Sequence, residues 1–550
     1  MNLAFNKTNS LKFTFTFLLL LLILVLQLDT YAQQLITPTG SPDTMRVIQI
    51  VKGNSMRFIT LDSLNEVETI AGDVILREGL TVFYCDSASL NKRTNILEAF
   101  GNIHINDNDS IQTYAQYLKY IGNDRMAYLK KKVKLADNKG GILLTDDLDY
   151  NLRSGIATYN NGGQITNART ILNSNAAVYH ADTKDVFFKK NVHLVDPKYD
   201  IRTDSLEYNL RTETANFIAP THIVSKDGVI DTRSGTYNLK TGEAIFYGRT
   251  AFHDSTHSGI ADKMFYDEKT HTIQMEGNGK LVDSANKVTV LGNLIYLNTV
   301  QNSFLATSKP VMVLYREGDS TYIAADTLFS GLKKYDSLER KMVTLSDTLK
   351  KTAAIKVNGK DTTIRYFLAF YHVRIFNDSL QAVSDSLHYS TVDSTFKLFG
   401  QPVVWNNKTQ LTGDTIYMFT ERQKAKRLYV FNNGILINQA TASMFNQIAG
   451  RTVNGYFNNG LIDYVRVKGS PAESIYYPQD DDSAFIGMNR SSGDVIDVYF
   501  VKKELNKVKF VNNVNGTLYP LLQIPPDQKQ LKSFKWQDGR RPKSKLELFE

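Results

Sequence analysis

Asp204-Ser205-Leu206-Glu207-Tyr208-Asn209-Leu210-Arg211-Thr212-Glu213-Thr214-Ala215-Asn216-Phe217 decides the fold of this chain. Leu206 and Tyr208 alternate with polar residues, as do Ala215 and Phe217, and a polar turn lies between them. Alternation with a period of two puts one set of side chains on one face of a strand. The stretch therefore reads as antiparallel strands sharing one apolar face.

The pattern recurs on both sides. Tyr150, Tyr179, Tyr208, Tyr237 and Tyr266 stand 29 residues apart, Tyr120 and Tyr296 extend the series at intervals of 30, and Leu90 takes the place one unit earlier. Nine residues after each anchor come Ala99, Leu129, Tyr159, Phe188, Phe217, Phe246, Met275 and Leu305. Fifteen after come Ile105, Leu135, Ile165, Leu194, Ile223, Phe252, Leu281 and Val311. A fixed period of this size marks a stacked repeat. No unit can bury its apolar face alone, so neighbours must stack. The expectation is an all-β, solenoid-like stack of antiparallel strands, about 29 residues per unit. At one strand layer per unit, spaced ~4.8 Å, eight units would span about 40 Å.

Composition agrees. The 550 residues hold 29 Tyr and 29 Phe, but 2 Trp and 1 Cys. Cys85 has no partner for an internal disulfide and reads as a small side chain in a strand. The formal net charge is +8, yet the basic residues are scattered through turns, so no nucleic-acid surface is indicated. Lys130-Lys131-Lys132, the densest early run, reads as a solvated turn.

Residues 1–32 read as a secretory signal peptide. Lys7 and Lys12 precede the apolar run from Phe13 to Leu28, and Thr30-Tyr31-Ala32 supplies small residues for cleavage. An uncleaved anchor is the alternative, although the run is short of the roughly 18–20 residues a membrane span needs. Residues 33–46 read as a linker and 47–330 as a first repeat domain. A charged insertion follows at 331–362, then a second, divergent repeat domain at 363–520 and an extended basic tail at 521–550.

Two local patterns carry a resemblance to a known family. Asp204-Ser205-Leu206-Glu207-Tyr208-Asn209 followed by Thr212 to Phe217 is one; Gly72-Asp73-Val74 and Gly101-Asn102-Ile103-His104-Ile105 are the other. Together, behind a signal peptide, they resemble the OstA-like proteins, relatives of LptA and of the periplasmic part of LptD. The resemblance implies an open, jellyroll-like stack in the periplasm, associated with the outer membrane, that bridges lipopolysaccharide transport. It also implies partners: lipopolysaccharide or a related envelope lipid, and other bridge proteins joined end to end by strand addition. No cofactor and no enzymatic activity are expected.

Aromatic and aliphatic residues on one face would form an apolar trough for acyl chains. Its candidate lining is Tyr150, Tyr179, Tyr208, Tyr237, Tyr266, Phe188, Phe217, Phe246, Met275 and Leu305. The same alternation fits a closed, dry core equally well. Two other classes compete: a structural or adhesive envelope protein, and a polysaccharide-degrading β-helix. The latter would need an acid and a base in different environments. Asp146-Asp147, Asp204 and Asp262 instead recur at one place in each unit.

Overall fold

A computed structural model describes residues 47–62, 65–138, 140–316, 319–334, 363–421, 424–459, 461–501 and 504–549. The expected signal peptide, the linker and residues 335–362 of the charged insertion lie outside these residues. The chain forms two compact units: residues 1–138 with 149–154, and 139–148 with 155–550. Among the described residues 38 strands occur, with four short 3-10 turns near the C-terminus, and no helix is long and apolar enough to cross a membrane. The all-β expectation holds.

In the second unit the building block is a strand bent in the middle. Tyr199–Asn209 pairs through residues 199–203 with Thr221–Ser225, and through residues 206–209 with Thr214–Phe217. One strand thus belongs to two ladders. We call the ladder holding residues 199–203 limb A and that holding 206–209 limb B. Strands Asp185–Val195, Glu243–His253, His257–Asp267 and Thr272–Asp283 bend in the same way. Strand pairing runs within a limb, and the limbs are joined covalently at the bends.

The bends explain a motif. Gly248-Arg249, Gly277-Asn278 and Asn432-Asn433 all have positive φ, and the strand register slips at each. Two successive left-handed residues turn the strand sharply, which favours Gly and Asn over other types. The neighbouring strand places an aspartate at the bend. Asn278 Nδ2 donates to Asp262 Oδ2 at 2.7 Å, and Asn433 Nδ2 donates to both oxygens of Asp414 at 3.1 Å. Asp262 and Asp414 are thus corner acceptors.

The first unit repeats this design. Gly72-Asp73, Gly101-Asn102 and Lys131-Lys132 are its left-handed bends, and Asn102 Nδ2 donates to Asp86 Oδ2 at 3.0 Å. The lysine run expected in a turn therefore supplies a corner. Cys85 lies buried beside that corner; burial, then the Asp86 charge, pushes its thiol up to about 12.

Two expectations need correction. Each 29-residue unit contributes two bent strands, such as Asp185–Val195 and Tyr199–Asn209, and so two layers to each limb. A unit therefore advances about 9.6 Å, twice the expected step. The sheet also continues across the charged insertion, since Thr327–Lys334 pairs with Thr363–Phe376 from Thr327↔Phe370 to Lys334↔Thr363.

The expected basic tail is extended but docked. Residues 521–549 run back over the outer face of limb A. Leu531 packs on Ile475, Tyr477 and Met488, and Leu548 packs on Val311 and Ala324. Two buried strand glutamines grip its backbone from both sides. Gln447 Nε2 donates to Lys529 O at 3.0 Å, and its Oε1 accepts from Leu531 N at 2.8 Å. Gln410 treats Lys535 O and Gln537 N in the same way, both at 2.7 Å. A third, Gln381, accepts from Arg541 Nε at 2.9 Å.

Candidate functional site

The inward faces of limbs A and B in the second unit bring most of the candidate residues together. Phe188, Phe217, Phe246 and Met275 are each at most 2% exposed. They alternate in register with Leu206, Gly235 and Met264 along limb B. Phe217 and Phe246 stack with ring centres 6.3 Å apart. Tyr179, Tyr208 and Tyr237 are buried nearer the free tips of limb B, and Tyr266 is half-buried there. Burial first, then nearby carboxylates headed by Glu268, pushes the Tyr266 hydroxyl up to about 12. Limb A contributes Leu194, Ile201, Ile223, Phe252 and Leu281, all buried. Tyr150, in the first unit, is also buried.

Leu305 does not join this face. It pairs with Tyr296, which is 38% exposed, while Phe304 and Ala306 take the inward places. A turn causes the slip. Across limb A, Leu194 opposes Ile201 and Phe252 opposes Gly259, seven residues on, whereas Leu281 opposes Val290, nine on. The next inward anchor is therefore Leu297, which pairs with Ile273 as Tyr266 pairs with Ala244. Tyr296 has the expected chemistry at the wrong parity.

Away from the corners, side chains close the gap between the limbs. Lys198 Nζ, in a limb A turn, lies 2.6 Å from Glu268 Oε1 in a limb B turn. Tyr199 hydroxyl donates to Glu268 Oε2 at 3.0 Å. The Tyr199 and Tyr237 rings meet edge to face, 4.9 Å apart. Burial opposes ionisation of Glu268, but the hydrogen bonds from Lys198 and Tyr199 outweigh it and hold the carboxyl below the usual glutamate range. At another level Asn167 Nδ2 donates to Leu210 O at 3.5 Å. A gap of about 10 Å³, enough for one water, remains between His257, Leu281 and Val290 on one limb and Leu297, Phe304 and Arg365 on the other. The first unit is closed similarly, with the Tyr120 hydroxyl donating to Glu78 and Phe83 packed 5.2 Å from Tyr120.

This arrangement has a fixed side and a releasable side. The corners are covalent and hydrogen-bonded. The tips meet through side-chain hydrogen bonds and ring contacts, and the Lys198–Glu268 pair is partly exposed, so it contributes little to stability. The result is an apolar interior closed on one side by corners and on the other by a polar seam.

The candidate carboxylates serve structure. Asp262 accepts from Asn278 and from Arg249 Nη1 at 3.1 Å, and Asp147 Oδ2 accepts from Asn161 at 2.8 Å. Among the described residues no group of three or more His, Cys, Asp or Glu could hold a metal ion.

These features define an all-β roll of stacked, bent strands with an apolar interior. Residues 46–204 match the family described as OstA-like protein, and residues 170–303 match the LptA/(LptD N-terminal domain) LPS transport proteins. Residues 46–303, spanned by the two matches together, are thus similar to the OstA-like proteins and to the LptA/LptD N-terminal transport proteins. One similar solved structure is LptH, the LptA-homologous periplasmic component of the lipopolysaccharide transport device of Pseudomonas aeruginosa. It is 17% identical, the match covers 20% of this chain and 80% of that one, and the TM-score is 0.18. No curated protein matches.

Proposed function

We propose that this protein is a periplasmic carrier of lipopolysaccharide, or of a related envelope lipid, that holds acyl chains between its two limbs. The supporting observation is the contrast between fixed corners and tips that meet through side-chain hydrogen bonds and ring contacts, around a continuous apolar interior. Acyl chains would enter by parting the tips near Lys198 and Glu268 and lie against Phe188, Phe217, Phe246 and Met275. The headgroup would remain outside in water. Export by the N-terminal apolar segment fits this location.

End-to-end joining to other bridge proteins is part of the reading. In the first unit, strands Gln49–Lys52 and Ser55–Asp62 both pair with Asn65–Glu78. Met56 lies opposite buried Ile70 yet is 44% exposed, and Phe58 is 67% exposed. Inward-facing apolar side chains are therefore uncovered at this edge. An added strand would cover them and continue both the ladder and the slot.

A photo-crosslinking residue at Phe217 tests the carrier reading in intact cells. Capture of lipopolysaccharide there, but not at outward-facing Asn216, is the expected result. Capture at Asn216 alone, or at neither position, would leave a structural envelope protein with a dry core.

A further inference from the structure

The outer face of limb B between residues 386 and 511, in the second unit, combines aromatic rings with basic side chains over several successive strands. Its strand positions carry a cross-strand aromatic surface. Tyr417 lies 4.7 Å from Phe431, Tyr456 lies 5.4 Å from Tyr464, and Tyr464 lies 5.0 Å from Tyr499, ring centre to ring centre. Cations are set into it. The Arg427 guanidinium lies 5.6 Å from the Tyr429 ring and 5.5 Å from the Tyr456 ring, and Lys397 Nζ is 5.4 Å from Tyr417.

The charge on this face is one-sided. Among the described residues, Lys397, Arg427, Arg466, Lys468, Lys507 and Lys509 occupy outward strand positions, against Asp497 and, at a strand end, Glu421, which pairs with Lys426 at 2.7 Å. Asp497 is spent on Arg466, with contacts of 2.8 and 2.9 Å, and on the Tyr464 hydroxyl at 2.6 Å. Lys397 has Asp393 of the adjacent turn at 3.0 Å. Arg427 instead donates to a neutral amide, Asn454 Oδ1, at 3.1 and 2.6 Å, and so keeps its full charge. Lys507 and Lys509 are exposed at the end of the surface. One register row runs Arg427, Tyr456, Tyr464, Tyr499, Lys507. It lies on the half of the limb nearer the free tips, where the proposed carrier leaves its lipid headgroup in water.

We propose that this face binds the phosphorylated oligosaccharide headgroup of the lipid whose acyl chains the slot holds. The proposal rests on the carrier reading above. Flat aromatic rings with one polar edge offer stacking surfaces to sugar rings while their hydroxyls hydrogen-bond. Arginine and lysine recognise phosphate oxygens. A protein partner would find few large aliphatic side chains here and a charged centre, whereas a stable interface core is depleted of charge.

The test uses the purified full chain and deacylated lipopolysaccharide, a phosphorylated oligosaccharide without acyl chains, in calorimetric titration. Saturable binding that weakens with salt is expected, and at least tenfold weaker binding after enzymatic dephosphorylation. The double variant Lys507→Gln/Lys509→Gln and the single variant Tyr456→Ala should each weaken binding at least fivefold, while Tyr456→Phe keeps it. The charge variants remove no ring, so they separate recognition from folding, and the melting temperature of each variant is recorded. No saturable binding, or binding unchanged in all variants, overturns the proposal. So does loss of a co-purifying protein from the variants with oligosaccharide binding intact. Lipid capture at Phe217 is measured in the same variants. If capture persists while oligosaccharide binding is absent, the headgroup site fails and the carrier reading stands.

Discussion

The two limbs of the second unit turn opposite backs to their surroundings. Behind limb A, Val311, Val383, Val403, Trp405, Ile437 and Met488 are buried on the outer face; residues 521–549 pack on Val311 and Met488 and are held there by Gln381, Gln410 and Gln447. Behind limb B, Tyr456 and Tyr499 are 37% and 36% exposed among cations. A strand with both faces covered becomes a fixed wall; a strand with one face in water can shift with less disruption. The difference teaches which limb is held and which is free to answer a ligand.

Removing residues 521–549 should break this contrast with the largest effect. Trp405, now 0% exposed, would face water, and limb A would lose its cover across many strands. A red shift in tryptophan emission and rapid proteolysis within residues 363–520 are expected, with both Gln410 and Gln447 unsatisfied. Gln410→Ala alone leaves the Lys535 carbonyl and Gln537 amide unpaired and should cost about 2–4 kcal/mol in denaturant unfolding. Asp497→Asn, on the other back, strips Arg466 and Tyr464 of a charged acceptor and should cost about 2 kcal/mol. Gly277→Val strains a corner common to both limbs. Its φ is +73°, and a Cβ there would sit 2.8 Å from Asp262 Oδ2, so a loss of about 1–2 kcal/mol is expected. Equal losses for Gln410→Ala and Tyr456→Ala would erase the distinction, since an exposed cross-strand ring is worth only about 0.2–1 kcal/mol.

The smallest expected effect concerns pH. Glu268 ionises more readily in the folded chain than in the unfolded one. Its latch therefore adds stability above the unfolded glutamate pKa and loses it as pH falls through the lower folded value. Protection of tip amides near Glu268, measured against their intrinsic exchange rates, should fall as the pH drops through the lowered carboxyl range, while corner amides keep theirs. Uniform exchange across tips and corners would contradict the fixed-corner, free-tip picture.

Much of the interior was legible because it depends on one periodicity. Phe188, Phe217, Phe246 and Met275 lie inward because a strand alternates and the 29-residue unit preserves parity. Leu305 was misread because two extra residues in the turn before Val290 move the anchor from position 295, where a 29-residue step would put it, to Leu297. A tyrosine happens to stand one place away. The corners were half visible: the Gly-Asn and Gly-Asp pairs stood out, but their left-handed backbone reads from sequence only as part of a strand. Nothing in the sequence sets Gln381, Gln410 and Gln447 apart from solvent-facing strand residues. What signals the strap is failed alternation, as in Val403-Val404-Trp405 and Ile435-Leu436-Ile437, where both parities are apolar. The seam was invisible, because Lys198 and Glu268 are 70 residues apart and nothing local links them.

The central claim is that the tips part to admit acyl chains. Lys198→Cys and Glu268→Cys, joined by a short bismaleimide with a reducible link, would hold them shut; buried Cys85, its thiol raised to about 12, stays out of the reaction. With a photoreactive residue at Phe217, the bridged protein should capture no purified lipopolysaccharide, and reduction of the linker should restore capture. Equal capture with the bridge intact would contradict the account.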